Sequence, residues 1–385
     1  MEPIYLDHAA TTPLAKEVLE AMIPVYENVF GNPSSVHSFG RKARQMLDQS
    51  RRVIAESIGA NEKEIIFTSG GTEADNLAII GTALANQDKG NHIITTAQEH
   101  HAVLHSAEYL EKKGFDVTYL PVHEDGKIHT SDLKSALTDD TILVSIMYVN
   151  NETGIIQPIE ETANLLKDQD HQAVFHTDAV QAFDLIDIDV KTLGVDMLTV
   201  SSHKIGGPKG IGFLYAKENI KMQSLSFGGE QERKRRAGTE NVISAIGFQK
   251  AVELVKKQKE SRKQAYEQYR KLFLEELTKQ NVHHDVNGNI NEAVPSIINI
   301  SFPGVNVETM LTNFDLDGIA ASSGSACTAG SIEPSHVLTS IFGKGHPCTT
   351  NSIRFSFGSA NTPENVTEAA HRVAAIVNRL TSKGK

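Results

Sequence analysis

The sequence predicts an α/β protein, with a mostly parallel β-sheet covered by helices and a smaller α+β domain after it. Three observations predict this. Between residues 65 and 216, short apolar runs of strand length alternate with longer segments whose apolar residues recur at helical spacing. Several of these runs end in small, polar or charged residues, where open α/β sheets bind ligands. After Glu240 the rhythm changes to one long helical stretch, then short strands mixed with helices. A chain of 385 residues suggests roughly two domains, each able to bury a core.

Residues 7–13, DHAATTP, form a turn-rich opening. Residues 14–26 and 36–58 carry helical apolar spacing, and GNPSS between them breaks one helix and caps the next. Strands are expected at 65–68, 92–96, 117–120, 142–148, 173–177, 195–200 and 211–216. Helices are expected through Leu77, Ile80 and Leu84, from Ala102, near Leu133 and over 159–166. Residues 241–280 read as a long helix broken once, rich in Lys, Glu and Gln on its exposed face. Strands at 297–302 and 353–357 then mix with helices at 307–313, 335–341 and 363–380. The expected division is a large domain, 14–255, and a small one formed by 1–13 and 256–385, with the boundary inside helix.

A formal net charge of -11 argues against nonspecific binding to nucleic acid or an acidic membrane surface. No apolar run is long enough to span a bilayer, and MEPIYLDHAATT lacks the charged and apolar regions of a signal peptide. Two cysteines exclude a disulfide framework and make a reducing cytoplasm the default.

Lys204, in SSHKIGGPKGIG, stands just past a buried strand among glycines that let backbone approach a flat ligand. It is the candidate to hold pyridoxal phosphate as a Schiff base, which needs a partly desolvated amine. A lone loop lysine would be a solvated one; the other parts of such a site argue otherwise. SGGTEADN, residues 69–76, is a glycine turn opening a helix, a phosphate cradle to which the Thr72 hydroxyl adds a donor. Plain strand–helix connections look the same, and without a Walker lysine a nucleotide triphosphate has no support. Asp178, in TDAVQ, is placed either to keep a pyridinium nitrogen protonated or to cap a helix. Gln181 reaches the ring hydroxyl if the intervening turn is helical. His100, after another strand, is placed to stack on the ring or move protons. Asn151, in VNNETG, lies at a further strand end. Cys327, in SSGSACTAGS, lacks bulky neighbours and so reads as an accessible loop nucleophile, whereas Cys348 reads as a buried small hydrophobe. Arg354, in a strand-like run, needs a bidentate partner, either a substrate carboxylate or an internal acid.

With these residues assembled, the chain resembles the cysteine desulfurases, the NifS and IscS-like branch of fold-type I pyridoxal phosphate enzymes. The resemblance runs from YLDHAATTP through SGGTEADN, EHHAVL, VNNETG, TDAVQ, SSHKIGGPKGIG and RAGTEN to SSGSACTAG and SIRFSFG. It implies a mainly parallel seven-stranded sheet, a homodimer and pyridoxal 5'-phosphate as cofactor. Carried over, it implies Lys204 as the Schiff-base lysine, Asp178 as the pyridinium partner, Gln181 at the ring hydroxyl and His100 as a stacking acid–base group. Phosphate would be held by Gly71, Thr72, Ser201, Ser202 and His203, with Thr239 reaching in from the other subunit. Asn151 and Arg354 would bind L-cysteine. Cys327 would take the sulfur as a persulfide, releasing L-alanine, with a thiol pKa depressed by nearby positive or dipolar groups when the loop is docked. No resident metal is implied, Cys327 being at most a transient iron–sulfur ligand.

The stretch from Cys327 to Arg354 is similar to the branch with the longer cysteine loop, which hands sulfur directly to acceptor proteins. The resemblance leads one to expect a C-terminal tail that docks the general iron–sulfur scaffold; here the chain stops at TSKGK, which makes a tRNA thiolase a serious candidate acceptor. The basic run at 233–236 reads as a solvated or phosphate-proximal face, not as an RNA site. The rivals are a selenocysteine lyase or aminotransferase on the same scaffold, and a noncatalytic sulfur-relay or scaffold protein.

Overall fold

The computed structural model describes residues 2–323, 327–328 and 331–382, with only the backbone of Cys327, Thr328, Ser331 and Ile332. Seven strands build the main sheet: β1 (Ile65–Thr68), β2 (His92–Thr96), β3 (Asp116–Leu120), β4 (Thr141–Ser145), β5 (Val174–Asp178), β6 (Met197–Ser201) and β7 (Gly212–Ala216). Their order is β1-β7-β6-β5-β4-β2-β3, and every pairing is parallel except the two that β7 makes. Consecutive residues alternate between two cores: Ile93, Leu143, Met197 and Leu214 face one, and Ile94, Val144, Leu198 and Phe213 the other. That alternation of apolar residues on both faces is why these strands read as continuous apolar runs.

Helices Lys16–Asn28 and Ser38–Ser57 pack on the long helix Val242–Lys279, whose N-terminus is capped by the Asn241 side chain. At Gly247 a Cβ would sit 2.6 Å from Met22 Sδ, so glycine is what allows the close approach of the first helix. The expected break in the long helix is absent. No residue from 256 to 265 is buried, so a polar waist joins two packed ends without interrupting the backbone.

Beyond it lies an antiparallel three-stranded sheet with Ile297–Ser301 at its centre, flanked by Asp285–Val286 and Ser352–Ser356. Helix Pro363–Ser382 covers it against the far half of the long helix. The N-terminus joins here: Ile4–Tyr5 pairs with Ile319–Ala320, and Asp7 bridges Ser356. It then crosses back to the main sheet, where the Thr12 amide donates to the His203 carbonyl at 3.0 Å. The backbone of Cys327–Thr328 pairs antiparallel with Ser331–Ile332. Among the described residues no helix is long and apolar enough to cross a membrane.

Candidate active site

The carboxyl ends of the parallel strands open onto a cavity of about 420 Å³. The segments after β1, β2 and β4 bring Gly71, Thr72, His100 and Asn151 to it; Asp178 and Ser201, the last residues of β5 and β6, line it themselves, and the segments after those strands bring Gln181, His203 and Lys204. The far wall comes from the N-terminal crossing and the smaller sheet, through Ala9, Ala10, Ser322 and Arg354. A second cavity of about 320 Å³ shares Ala9, Val180, Gln181 and Lys204 with the first.

Lys204 donates from Nζ to the carbonyls of Ala9 at 2.5 Å and Ala10 at 2.9 Å. Burial, and then the charge of Arg354, lower its pKa to about 8, while Asp178 and Asp7 pull the other way. An amine so placed supplies far more neutral nucleophile at neutral pH than a free lysine does. Asp178 is buried and its Oδ1 accepts the Val180 amide at 2.9 Å. Burial raises its pKa, and it stands close enough to buried Asp75 for each carboxyl to disfavour ionisation of the other. Asp178 thus closes a turn, not a helix N-terminus, and lines the cavity. That turn is of helical type, with the Phe183 amide on the Ala179 carbonyl at 3.1 Å, and it sets Gln181 on the cavity wall. Gln181 Nε2 donates to Ala9 O at 2.9 Å.

His100 caps helix His101–Glu111, its Nδ1 accepting the Ala102 amide at 3.2 Å, which leaves the ring proton of the neutral form on Nε2. Its ring opens to the cavity yet is surrounded by protein; desolvation and the Lys204 charge lower its pKa to about 4. The same two causes, with Lys209 added, lower His203 to about 4. The helix at Gly71–Asn76 makes its first backbone bond from Ala74 to Gly70, so the amides of Gly71, Thr72 and Glu73 precede intrahelical pairing. A Cβ on Gly71 would lie 3.0 Å from Val180 Cγ2, which keeps the cradle open to an anion.

Arg354 meets the internal acid that sequence left as an alternative. Its guanidinium donates to Asp7 Oδ1 at 2.8 Å and to the Asn151 carbonyl at 2.9 Å. Its Nε, like Asn151 Oδ1 and Ser202 Oγ, is buried with no partner among the described residues. A desolvated amine, a buried acid, an anion cradle and these unsatisfied atoms fit a cofactor that carries an aldehyde, a ring nitrogen and a phosphate.

Two expected residues do not line the cavity: Ser202 is buried beside it, and Thr239 is exposed elsewhere on the chain. The Cys327 side chain, with its accessibility and its thiol pKa, lies outside what is described. Cys348 is buried as expected, and burial raises its pKa to about 11. Sequence reasoning missed Asp75, Glu152, His336 and Asp7. Asp75 was within reach, three positions after Thr72 on one helix face. Away from the cavity, His123, His129 and Asp132 bring ligand-type atoms within 4.8 Å. The two rings stack at 3.7 Å and 6°, so their nitrogens lie side by side instead of converging.

The family model of the class-V aminotransferases matches residues 4–368. The chain is 56% identical over 381 residues to the IscS 1 protein of Bacillus subtilis (strain 168), covering 99% of this chain and 100% of that one. It is 46% identical over 377 residues to the cysteine desulfurase IscS of Methanosarcina thermophila, covering 98% and 92%. Among solved structures, a NifS-like protein superposes with a TM-score of 0.92 at 32% identity, covering 98% of this chain and 100% of that chain. SspA in complex with cysteine gives 0.81 at 37% identity, over 92% and 98%.

Proposed function

The chain belongs to the class-V aminotransferase family and, within it, to the cysteine desulfurases; from that premise we propose how its own residues carry the reaction. L-cysteine gives up its sulfur to the Cys327 thiol: the carbon–sulfur bond breaks, a sulfur–sulfur bond forms, and the carbon left behind gains a proton to give L-alanine. Pyridoxal 5'-phosphate, when bound, supplies the electron sink for this chemistry. Lys204 would hold it covalently, and its desolvated amine is placed to move protons at the substrate. Asp178 would hold the proton of the ring nitrogen, Gln181 would meet the ring hydroxyl, and His100 would offer a neutral imidazole to the ring. Gly71, Thr72, Ser201 and His203, which line the cavity, would take the phosphate. Thr239, exposed and away from its own cavity, is free to complete the cradle of a second copy, which makes the working unit a homodimer.

Asn151 and Arg354 take the substrate carboxylate. Arg354 keeps Asp7 as a fixed partner while its unsatisfied Nε remains for the ligand. The sulfur then passes to an acceptor protein, an iron–sulfur assembly scaffold or a tRNA thiolase, in a compartment reducing enough to keep the thiol free. The observation that carries this reading is that Lys204, Asp178 and Arg354 line one cavity at the strand ends. Labelled cysteine tests it: Cys327→Ser should accumulate no protein-bound sulfur and release little alanine. Alanine at the parental rate from that variant would end the persulfide step.

A further inference from the structure

Glu152 follows Asn151 on the cavity wall, and its side chain is fully buried. A buried carboxyl needs partners. Its Oε2 accepts the Ser335 hydroxyl at 2.5 Å, while Oε1 has no partner among the described residues. The chemistry above makes no use of it. Ser335 Oγ also accepts the Leu338 amide at 3.1 Å, so one oxygen caps helix His336–Phe342 and clasps Glu152. His336, next in line, meets the Glu99 carbonyl at 2.9 Å. Ser335 lies three residues past the Ser331–Ile332 strand that pairs with Cys327–Thr328. Before that hairpin, Ser322 donates to Asp7 Oδ2 at 3.0 Å and its backbone bridges Arg354. The stretch between the two serines is thus rooted in the cavity wall at both ends.

We propose that Glu152 is a positioning residue: through Ser335 it fixes one root of the segment carrying Cys327 against the active site. The proposal rests on the desulfurase reading and adds to it. Ser335 stands eight residues beyond Cys327, so the point where the clasp holds Ser335 sets where the chain returns to the wall after that segment. Holding that point against the wall beside Asn151 favours an oriented approach of the nucleophile to its substrate. The clasp needs an acceptor at Oε2 and not a charge.

The test separates substrate binding from sulfur capture in the cofactor-loaded enzyme. Cysteine binding is followed by its spectral change, and Cys327 persulfide by single-turnover trapping. Glu152→Ala and Ser335→Ala are expected to slow persulfide formation roughly tenfold, with cysteine binding within about twofold. The double variant should be no slower than either single, because both remove one contact. Glu152→Gln and Ser335→Thr, which keep the clasp, should stay within about threefold of the parent. Since Ser335→Ala also strips a helix cap, Ser335→Asp, which keeps the cap but sets a second carboxylate against Glu152, should be slowed equally. In the protein without cofactor, amide hydrogen exchange across His336–Phe342 should rise in the slowed variants. Parental persulfide rates in Glu152→Ala, multiplying losses in the double variant, or an equal loss of cysteine binding would overturn the proposal. Failure of the desulfurase reading looks different, since the parent enzyme itself would then form no Cys327 persulfide and release no alanine.

Discussion

On the sheet side of the cavity, each functional group stands within a few residues of its own buried strand: Asp178 ends β5, Ser201 ends β6, and Lys204 follows three positions on. On the far side, contacts join residues that lie far apart in sequence. Arg354 meets Asp7 across 347 residues, Ser322 meets Asp7 across 315, and Ser335 meets Glu152 across 183. The first wall forms whenever the sheet forms. The second exists only when the N-terminus and the smaller sheet have closed onto it, and closing long loops has an entropic cost of its own. Substitutions on the sheet wall should therefore disturb chemistry with little effect on folding, and those on the far wall should disturb both.

The largest effect tests the first half of that contrast. Lys204→Ala should lower cysteine turnover by more than roughly 10³-fold, with the visible absorbance of the bound cofactor lost and the unfolding midpoint nearly unchanged. A reducible cofactor linkage persisting in that variant would move the anchor to another lysine. On the far wall, Asp7→Ala should leave Arg354 buried without its acid and destabilise the protein by about 3 kcal/mol, read by urea unfolding. An unchanged urea midpoint would mean that the pair does not hold this wall together.

A third experiment plays the walls against each other through one amine. In protein stripped of cofactor, Lys204 should react with a small aldehyde about tenfold faster per pH unit, since only the neutral amine attacks, and level off above about pH 8. The Asp178 charge raises the Lys204 pKa and the Arg354 charge lowers it. Asp178→Asn should move the plateau to lower pH, and Arg354→Gln to higher pH. Shifts in the same direction would break the comparison. The smallest effect belongs to the cradle: if Thr72 donates to the cofactor phosphate as proposed, Thr72→Ala should weaken cofactor retention about tenfold, measured by equilibrium dialysis.

Legibility in the sequence divides along the same line. Lys204, Asp178, His100, Gly71 and Thr72 could be read because each motif carries both its strand and that strand's end, so the sheet alone brings them together. Glu152, Asp7 and Ser335 could not, because the reason for each is a partner that no local pattern points to. Arg354 was half legible: its run showed that it needed a partner but not that Asp7 would be one. The long helix failed for a different reason. A break in apolar periodicity marks only the loss of a packed face, and exposed polar helix looks the same from sequence.

That waist has a consequence for how the molecule tolerates change. Val242–Lys279 spans about 57 Å at the rise of an α-helix. Near its start Gln249 holds Ser50; near its finish Phe273 lies against Phe355, one residue from Arg354. Inserting or deleting a single residue in the waist would rotate one end against the other by about 100°. The ten positions from 256 to 265 carry only a few fixed contacts, Lys259 to Asp187 and Arg262 to Asp184 among them, yet they are strictly fixed in number, a ruler whose length matters more than most of its markings.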